Sequence, residues 1–95
     1  MTYELEFKKS ALKEWKKLGA TIQSQFKKKL NEILNNPHIE SAKLSGGNDL
    51  YKIKLRQVGY RLVYEVNDDV ITVTVISVGK RDKGKVYSAA MDRIN

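Results

Sequence analysis

Hydrophobic and polar positions alternate with a period of two at the start of the chain. Within residues 2–7, Tyr3, Leu5 and Phe7 fall on one side of an extended segment and Glu4 and Glu6 on the other, which predicts a half-buried strand. The period then becomes helical. Ala11, Leu12, Trp15 and Leu18 form one stripe, with Lys13, Glu14, Lys16 and Lys17 around the other side. Gly19 suits the C′ position of this helix. Thr21 is expected to cap a second helix, whose stripe is Ile22, Phe26, Leu30, Ile33 and Leu34 and whose end is set by Asn35, Asn36 and Pro37. The single tight turn between them predicts a helical hairpin packed on a sheet. Residues 38–49 read as a loop, closing on Ser45-Gly46-Gly47-Asn48-Asp49. Three strands are expected at about 50–56, 60–66 and 70–78, with a turn at Asn67-Asp68-Asp69 and a break at Gly79. The last strand is almost entirely β-branched, as in a central strand covered on part of both faces. A basic loop over 80–85 leads to a short C-terminal helix with Val86, Ala89, Ala90 and Ile94 available for packing. The order β-α-α-β-β-β-α, without repeats or a linker, predicts one α+β domain over residues 1–95.

The segment "YKIKLRQVGYRLVYEV" raises an electrostatic problem. Tyr51, Ile53 and Leu55 share one face, and after the bend so do Tyr60, Leu62, Tyr64 and Val66. Directly opposed residues of an antiparallel pair share a face, so the two numbers in each pair must sum to an odd value. Pairing Leu55 with Tyr60 puts Lys54 opposite Arg61 and Lys52 opposite Val63, although a slip by two residues would keep the same faces. Cations then converge across the hairpin, with Glu65 the only acid on that face. Like charges so placed are unfavourable unless solvent or an anion separates them.

Composition sharpens this picture. The chain has 95 residues, 41% hydrophobic and 31% charged, which fits one globular domain with a modest core. Eighteen Lys and Arg against eleven Asp and Glu give a net charge of +7 and a pI near 9.7, favouring a polyanionic partner such as nucleic acid. A merely soluble basic protein is the bland reading. No helix pairs a basic face with a bulky apolar face free of core duties, and no stretch approaches the roughly 18 apolar residues of a membrane span. The first residues, Met-Thr-Tyr-Glu-Leu-Glu-Phe, are not those of a signal peptide. The absence of cysteine removes disulfides and thiolate metal sites and fits a reducing cytoplasm.

The cation face is the strongest chemical candidate. It suits phosphate binding, and neighbouring positive charge disfavours a protonated lysine, which makes Lys52 and Lys54 candidates for a general base. Arg61 and Arg81 stay charged at any ordinary pH and suit bidentate phosphate binding and stabilisation of developing charge. Tyr87 lies one residue off the packing positions Val86 and Ala90, where it could stack on a base or offer a hydroxyl. Arg56, Lys80, Lys83 and Lys85 are RNA-binding candidates by charge. Against these stands the ordinary reading of a lysine-rich strand face, a solvated surface, which pattern alone favours. Arg81 in a basic loop can be simply exposed, and Tyr87 can be an aromatic at the core's rim. The lone His38 reads as a surface residue; the clusters Lys8, Lys9, Lys13, Lys16, Lys17 and Lys27-Lys28-Lys29 read as solvated helix faces that attract RNA at most. One histidine and no cysteine exclude a Cys-His scheme and give no zinc ligand set. Ser45-Gly46-Gly47 is too short for a P-loop and lacks the following Lys-Ser/Thr. No metal and no cofactor are expected.

"ALKEWKKLG", "AKLSGGNDLYKIKLRQVGYRLVYEV" and "VISVGKRDKGKVY", in this order and spacing, resemble the RelE toxins of the RelE/ParE superfamily over essentially the whole chain. The resemblance implies a small antiparallel sheet packed against an N-terminal helical hairpin, with a short C-terminal helix. It also implies the toxin of a type II toxin–antitoxin pair, a cytoplasmic endoribonuclease that cleaves mRNA in the ribosomal A site. The implied partners are a RelB-like antitoxin, the ribosome and its mRNA, with operator DNA bound through the antitoxin and no membrane. Its active residues carry over onto Lys52, Lys54, Arg61, Arg81 and Tyr87. In the gyrase-targeting ParE branch this set is generally missing. The loop Asp82-Lys83-Gly84-Lys85 departs from the pattern, which bears on codon preference. Two alternatives stand beside this reading: a ParE-like gyrase inhibitor, and a non-catalytic binder of ribosome or RNA that inhibits translation.

Overall fold

The computed structural model describes residues 2–44, 49–80 and 84–94. The alternating start becomes β1 (Glu4–Phe7), followed by α1 (Lys9–Lys16) and α2 (Ala20–Ile33). A short 3-10 turn over Glu40–Ala42 precedes β2 (Leu50–Leu55), β3 (Tyr60–Asn67) and β4 (Thr72–Lys80), and α3 (Lys85–Ile94) closes the order. The element order is the one that periodicity predicts.

Two helix boundaries differ from expectation. Gly19, at φ −67°, is extended rather than left-handed, and it rather than Thr21 is the N-cap of α2. A side chain supplies the closure expected of the glycine. Gln23 Nε2 donates to the carbonyl oxygens of Trp15 and Leu18, at 2.9 and 3.3 Å, and so ties the end of α1 to the first turn of α2.

The sheet runs β1-β4-β3-β2. The β2–β3 and β3–β4 pairs are antiparallel, whereas β1 lies parallel to β4, with Glu4 beside Thr72 and Phe7 beside Val75. A period of two fixes which face a strand buries; it is silent on the direction in which an edge strand is laid down. β4 is one of the two inner strands, as its composition implies, but its limits shift. Val70 is 64% exposed in the preceding turn, and Gly79 belongs to the strand, paired with Arg61.

Both faces of the sheet are covered. On one, α1 and α2 bring Ala11, Trp15, Phe26 and Leu30 onto Tyr51, Ile53, Leu62, Tyr64, Val73 and Val75. On the other, α3 brings Val86 and Ala90 onto Leu50, Val63 and Ile76. A β-bulge in β4 makes this possible. Tyr64 opposes Val75 and Val63 opposes Ser77, so Ile76 is the extra residue and the alternation changes phase there. Val78 returns to the first face, while Ser77 Oγ donates to the Val86 carbonyl at 2.7 Å under α3.

β1 stops at Phe7, and beyond it the backbone of β4 is finished by side chains. Arg93 Nη1 donates to the Ile76 carbonyl at 2.7 Å and to Glu14 Oε1 at 2.8 Å, and Nη2 donates to Oε2 at 3.1 Å. The Val78 amide donates to the same Glu14 oxygen at 3.3 Å, and Lys8 Nζ donates to the Arg93 carbonyl at 3.2 Å. Glu14, placed from sequence opposite the apolar stripe of α1, and Lys8, read from sequence as solvated, thus clasp α3 against the sheet.

Candidate RNA-binding and catalytic face

The cation face lies at the turn end of the β2–β3 hairpin. Its register is the one inferred from the odd-sum argument: Leu55 pairs with Tyr60, Lys54 with Arg61 and Lys52 with Val63. Core burial of Tyr51, Ile53 and Leu55 turns Lys52 and Lys54 to the α3 side. The hairpin closes through residues 56–59, where Gly59 at φ +72° adopts the left-handed conformation that the turn needs and its amide donates to the Leu55 carbonyl at 2.9 Å. That turn carries the exposed Arg56. Lys54, Arg56 and Arg61 line a cleft of about 280 Å³ together with Leu55, Gly59 and Tyr60.

α3 supplies the aromatic. The Arg61 guanidinium lies over the Tyr87 ring, 5.3 Å from its centroid, a cation–π contact. Arg61 pairs with Gly79, over which α3 lies close: a Cβ added there would be in ordinary van der Waals contact with Val86 Cγ2, at 3.5 Å. Tyr87 is half-buried, and its hydroxyl is buried without a hydrogen-bond partner among the described residues.

The structure therefore brings Lys54, Arg56, Arg61 and Tyr87 together. Lys52 stands two residues further along the same face of β2. Lys80 and Lys85 share a separate cleft of about 320 Å³ with Glu14, Val78, Gly79, Val86 and Ala89, on the side of β4 that β1 leaves uncovered. Arg81 and Lys83 lie outside the described residues. Among the described residues, no group of three or more His, Asp or Glu side chains is arranged to hold a metal ion.

His38 belongs to a different part of the molecule and is less exposed than expected. Its Nδ1 lies 2.8 Å from the Tyr51 hydroxyl and its Nε2 2.9 Å from Asp68 Oδ1, which also accepts from the Tyr3 hydroxyl at 2.6 Å. With a carboxylate as acceptor, Nε2 carries a proton and donates to Asp68. These hydrogen bonds from Tyr3 and His38 hold the Asp68 carboxyl below its ordinary value. Tyr51 stacks on Tyr64 at 5.4 Å, and the Tyr64 hydroxyl donates to the Pro37 carbonyl at 2.9 Å. The network ties the loop after α2 to β1, β2, β3 and the β3–β4 turn. Its role is structural.

Comparison with known proteins bears on this arrangement. The family profile described as ParE toxin of type II toxin-antitoxin system, parDE, matches residues 5–84. The chain is 58% identical over 94 residues to the mRNA interferase toxin RelE of Escherichia coli K12, covering 99% of both. It belongs to the RelE family of toxins. A putative RelE-like toxin protein of E. coli is 52% identical over the same length. The fold matches a double arginine mutant of E. coli RelE in the free state with a TM-score of 0.93, 57% identity and full coverage of both chains. It also matches that mutant in complex with a RelB antitoxin peptide, with a TM-score of 0.83, 58% identity and 95% of each chain covered.

The residues that the RelE resemblance implies come from β2 (Lys52 and Lys54), β3 (Arg61) and the chain after β4 (Arg81 and Tyr87). Sequence reasoning missed a contribution from α2. Gln25 and Lys29 line a cleft with Lys54, Leu55, Arg56 and Gln57. The signal was the run Lys27-Lys28-Lys29, but its position relative to β2 depends on how α2 docks.

Proposed function

We propose that this RelE-family chain is the toxin of a type II toxin–antitoxin system, a cytoplasmic mRNA interferase that cleaves mRNA in the ribosomal A site. A RelB-like antitoxin would hold it inactive. In the reaction, the RNA 2′-oxygen attacks the adjacent 3′-phosphorus. The bond from phosphorus to the 5′-oxygen breaks, leaving a 2′,3′-cyclic phosphate upstream and a 5′-hydroxyl downstream. Lys52 and Lys54 supply local positive charge and the base that takes the 2′-hydroxyl proton. Arg61 holds the phosphate. Arg81, assigned through the family resemblance, stabilises the developing charge and assists the leaving oxygen. Tyr87 orients the nucleotide by stacking, on a ring already braced by Arg61.

The observation that carries this reading is the Lys54–Arg61 pair with Tyr87 packed against the arginine. Two cations fixed on adjacent strands beside an aromatic provide phosphate binding and base stacking at one place. The site lacks the histidine or glutamate pair of a free ribonuclease, so the ribosome supplies the alignment of the reacting atoms, catalysis by orientation. Among the described residues no helix is long and apolar enough to cross a membrane, in keeping with action on ribosomes.

The test is cleavage of one mRNA, naked and on programmed ribosomes with an empty A site, mapped by primer extension. A cut confined to the A-site codon on ribosomes is the expected result. Cutting both RNAs alike would remove the ribosome requirement. No cut by folded, antitoxin-free protein would overturn the nuclease reading. The matching family profile is described as a ParE toxin, which keeps the ParE-like gyrase inhibitor as the second reading, and DNA breaks with intact mRNA would identify it.

A further inference from the structure

α2 buries Phe26, Leu30 and Ile33, and the flank beside that stripe carries Gln25 and Lys29, one helical turn apart on the same side. α2 packs over β2, the outermost strand, so nothing in the sheet separates this flank from the cations beyond the strand's edge. Two clefts record the approach. One, of about 400 Å³, is lined by Gln25, Lys29, Lys54, Leu55, Arg56 and Gln57. The other, of about 260 Å³, is lined by Lys29, Glu32, Ile33, Ile39, Lys52, Ile53 and Lys54. Lys54 belongs to both and to the cleft that holds Arg61.

We propose that Gln25, Lys29 and Arg56 form a second phosphate subsite, which holds the mRNA backbone at a phosphate next to the one cleaved. This inference rests on the cleavage reaction proposed above. Lys54 is the hinge between the subsites, so a strand whose scissile phosphate sits between Lys54 and Arg61 has its neighbouring phosphate within the adjoining cleft. That cleft presents Lys29 and Arg56 beside the shared Lys54, three cations in all, with two amide side chains and no carboxylate. In the other, Glu32 offsets one of the three lysines Lys29, Lys52 and Lys54, which makes it the less cationic of the two, and so the backbone is directed past Gln25 and Gln57. The second subsite fixes the strand on both sides of the reacting linkage and thereby contributes to its alignment.

The experiment measures equilibrium binding to ribosomes programmed with mRNA whose A-site codon lacks 2′-hydroxyls and cannot be cleaved. Wild type, Lys29→Ala and Lys16→Ala are compared across a salt series; Lys16 is an exposed α1 lysine, so its loss lowers the net charge equally. Lys29→Ala is expected to weaken binding about fivefold and to reduce the salt slope by about 0.7, the value for one phosphate contact on a single strand. Lys16→Ala is expected to change neither. Equal effects of the two variants would overturn the subsite in favour of general charge attraction.

A second arm places one uncharged methylphosphonate in turn at each linkage in and beside the codon. At one linkage the neutral mRNA should weaken wild type while Lys29→Ala adds nothing further. Additive losses at every linkage would assign Lys29 to ribosomal RNA and overturn the proposal. Wild type that binds this complex but does not cut its ribose counterpart would overturn the nuclease reading alone. Wild type that does not bind would overturn both.

Discussion

Removal of the Glu14 carboxylate should loosen α3, and the clasp sets the size of the effect. Glu14 accepts two hydrogen bonds from Arg93, at 2.8 and 3.1 Å, and one from the Val78 amide at 3.3 Å. The Arg93 and Glu14 side chains are 23% and 33% exposed. An exposed ion pair contributes at most about 1 kcal/mol, whereas removing one partner of a fully buried pair costs about 3–5 kcal/mol. The partial exposure places Glu14→Ala between these, at about 2 kcal/mol. Little of this need appear as global unfolding, because α3 covers only the Val86–Ala90 side of the sheet and can open alone. About 2 kcal/mol of local opening corresponds to roughly thirtyfold, since 1.4 kcal/mol is tenfold. Amide hydrogen exchange over residues 88–92 should therefore accelerate by about thirtyfold in Glu14→Ala, with exchange in β3 little changed. Because α3 carries Tyr87, cleavage on ribosomes should fall only by the fraction of molecules in which α3 is open. Arg93→Ala should show the same acceleration, and the double variant should add little. Unchanged exchange in α3 would refute the clasp as the element that seats the tyrosine.

Tyr87→Phe removes a buried hydroxyl that has no partner among the described residues and keeps the ring under Arg61. The fold should gain about 1 kcal/mol, a rise of about 4–8 °C in melting temperature, with cleavage retained if stacking is the role. A lower melting temperature would refute the unpaired hydroxyl, and lost cleavage in a more stable protein would assign the hydroxyl to the chemistry. Thermal stability should also decline at both ends of the pH scale. Burial raises Tyr64 and Tyr51 above their ordinary 10.0, with Asp49, Glu40 and Asp68 adding to the rise at Tyr51, and the bond to Asp68 raises Tyr3. These groups fold best as phenols, so their contribution is complete below pH 10.0 and is lost as pH rises through the folded-state values. Asp68 is held below 3.8, so its contribution is present above that value and is lost as pH falls through the folded one. Asp68→Asn should flatten the acid limb of melting temperature against pH, and an unchanged limb would refute this assignment.

The parts legible in the sequence are those that repeat within one element. Alternation placed Lys52 and Lys54 on one face of β2, and parity left only a few registers, among them the observed one that opposes Lys54 to Arg61. The β-branched run marked β4 as an inner strand. Its bulge was present as Val73, Val75, Ile76 and Val78, a change of phase that makes sense only once a second layer on the far face is known. The parallel setting of β1 was hidden, because a strand of four residues carries a face but no direction.

What sequence pattern could not supply is contact between elements. Glu14 and Arg93 are separated by 79 positions, and each looks like an ordinary charge on a solvated helix. Both are recruited because β1 ends at Phe7 and leaves backbone groups of β4 to be satisfied by side chains. Lys29 was hidden for a related reason. Helical periodicity assigns it to the polar flank of α2, and only the docking of that helix over an edge strand sets the flank beside Lys54. The same geometry separates the two kinds of lysine in this basic protein. Those of β2 and the inner flank of α2 surround connected clefts, where removal of one charge should depend on one phosphate. A lysine such as Lys16 faces open solvent, where its charge is screened and its removal should change neither affinity nor salt slope. The salt slope distinguishes the two, because a contact of the first kind shifts it stepwise and a contact of the second leaves it in place.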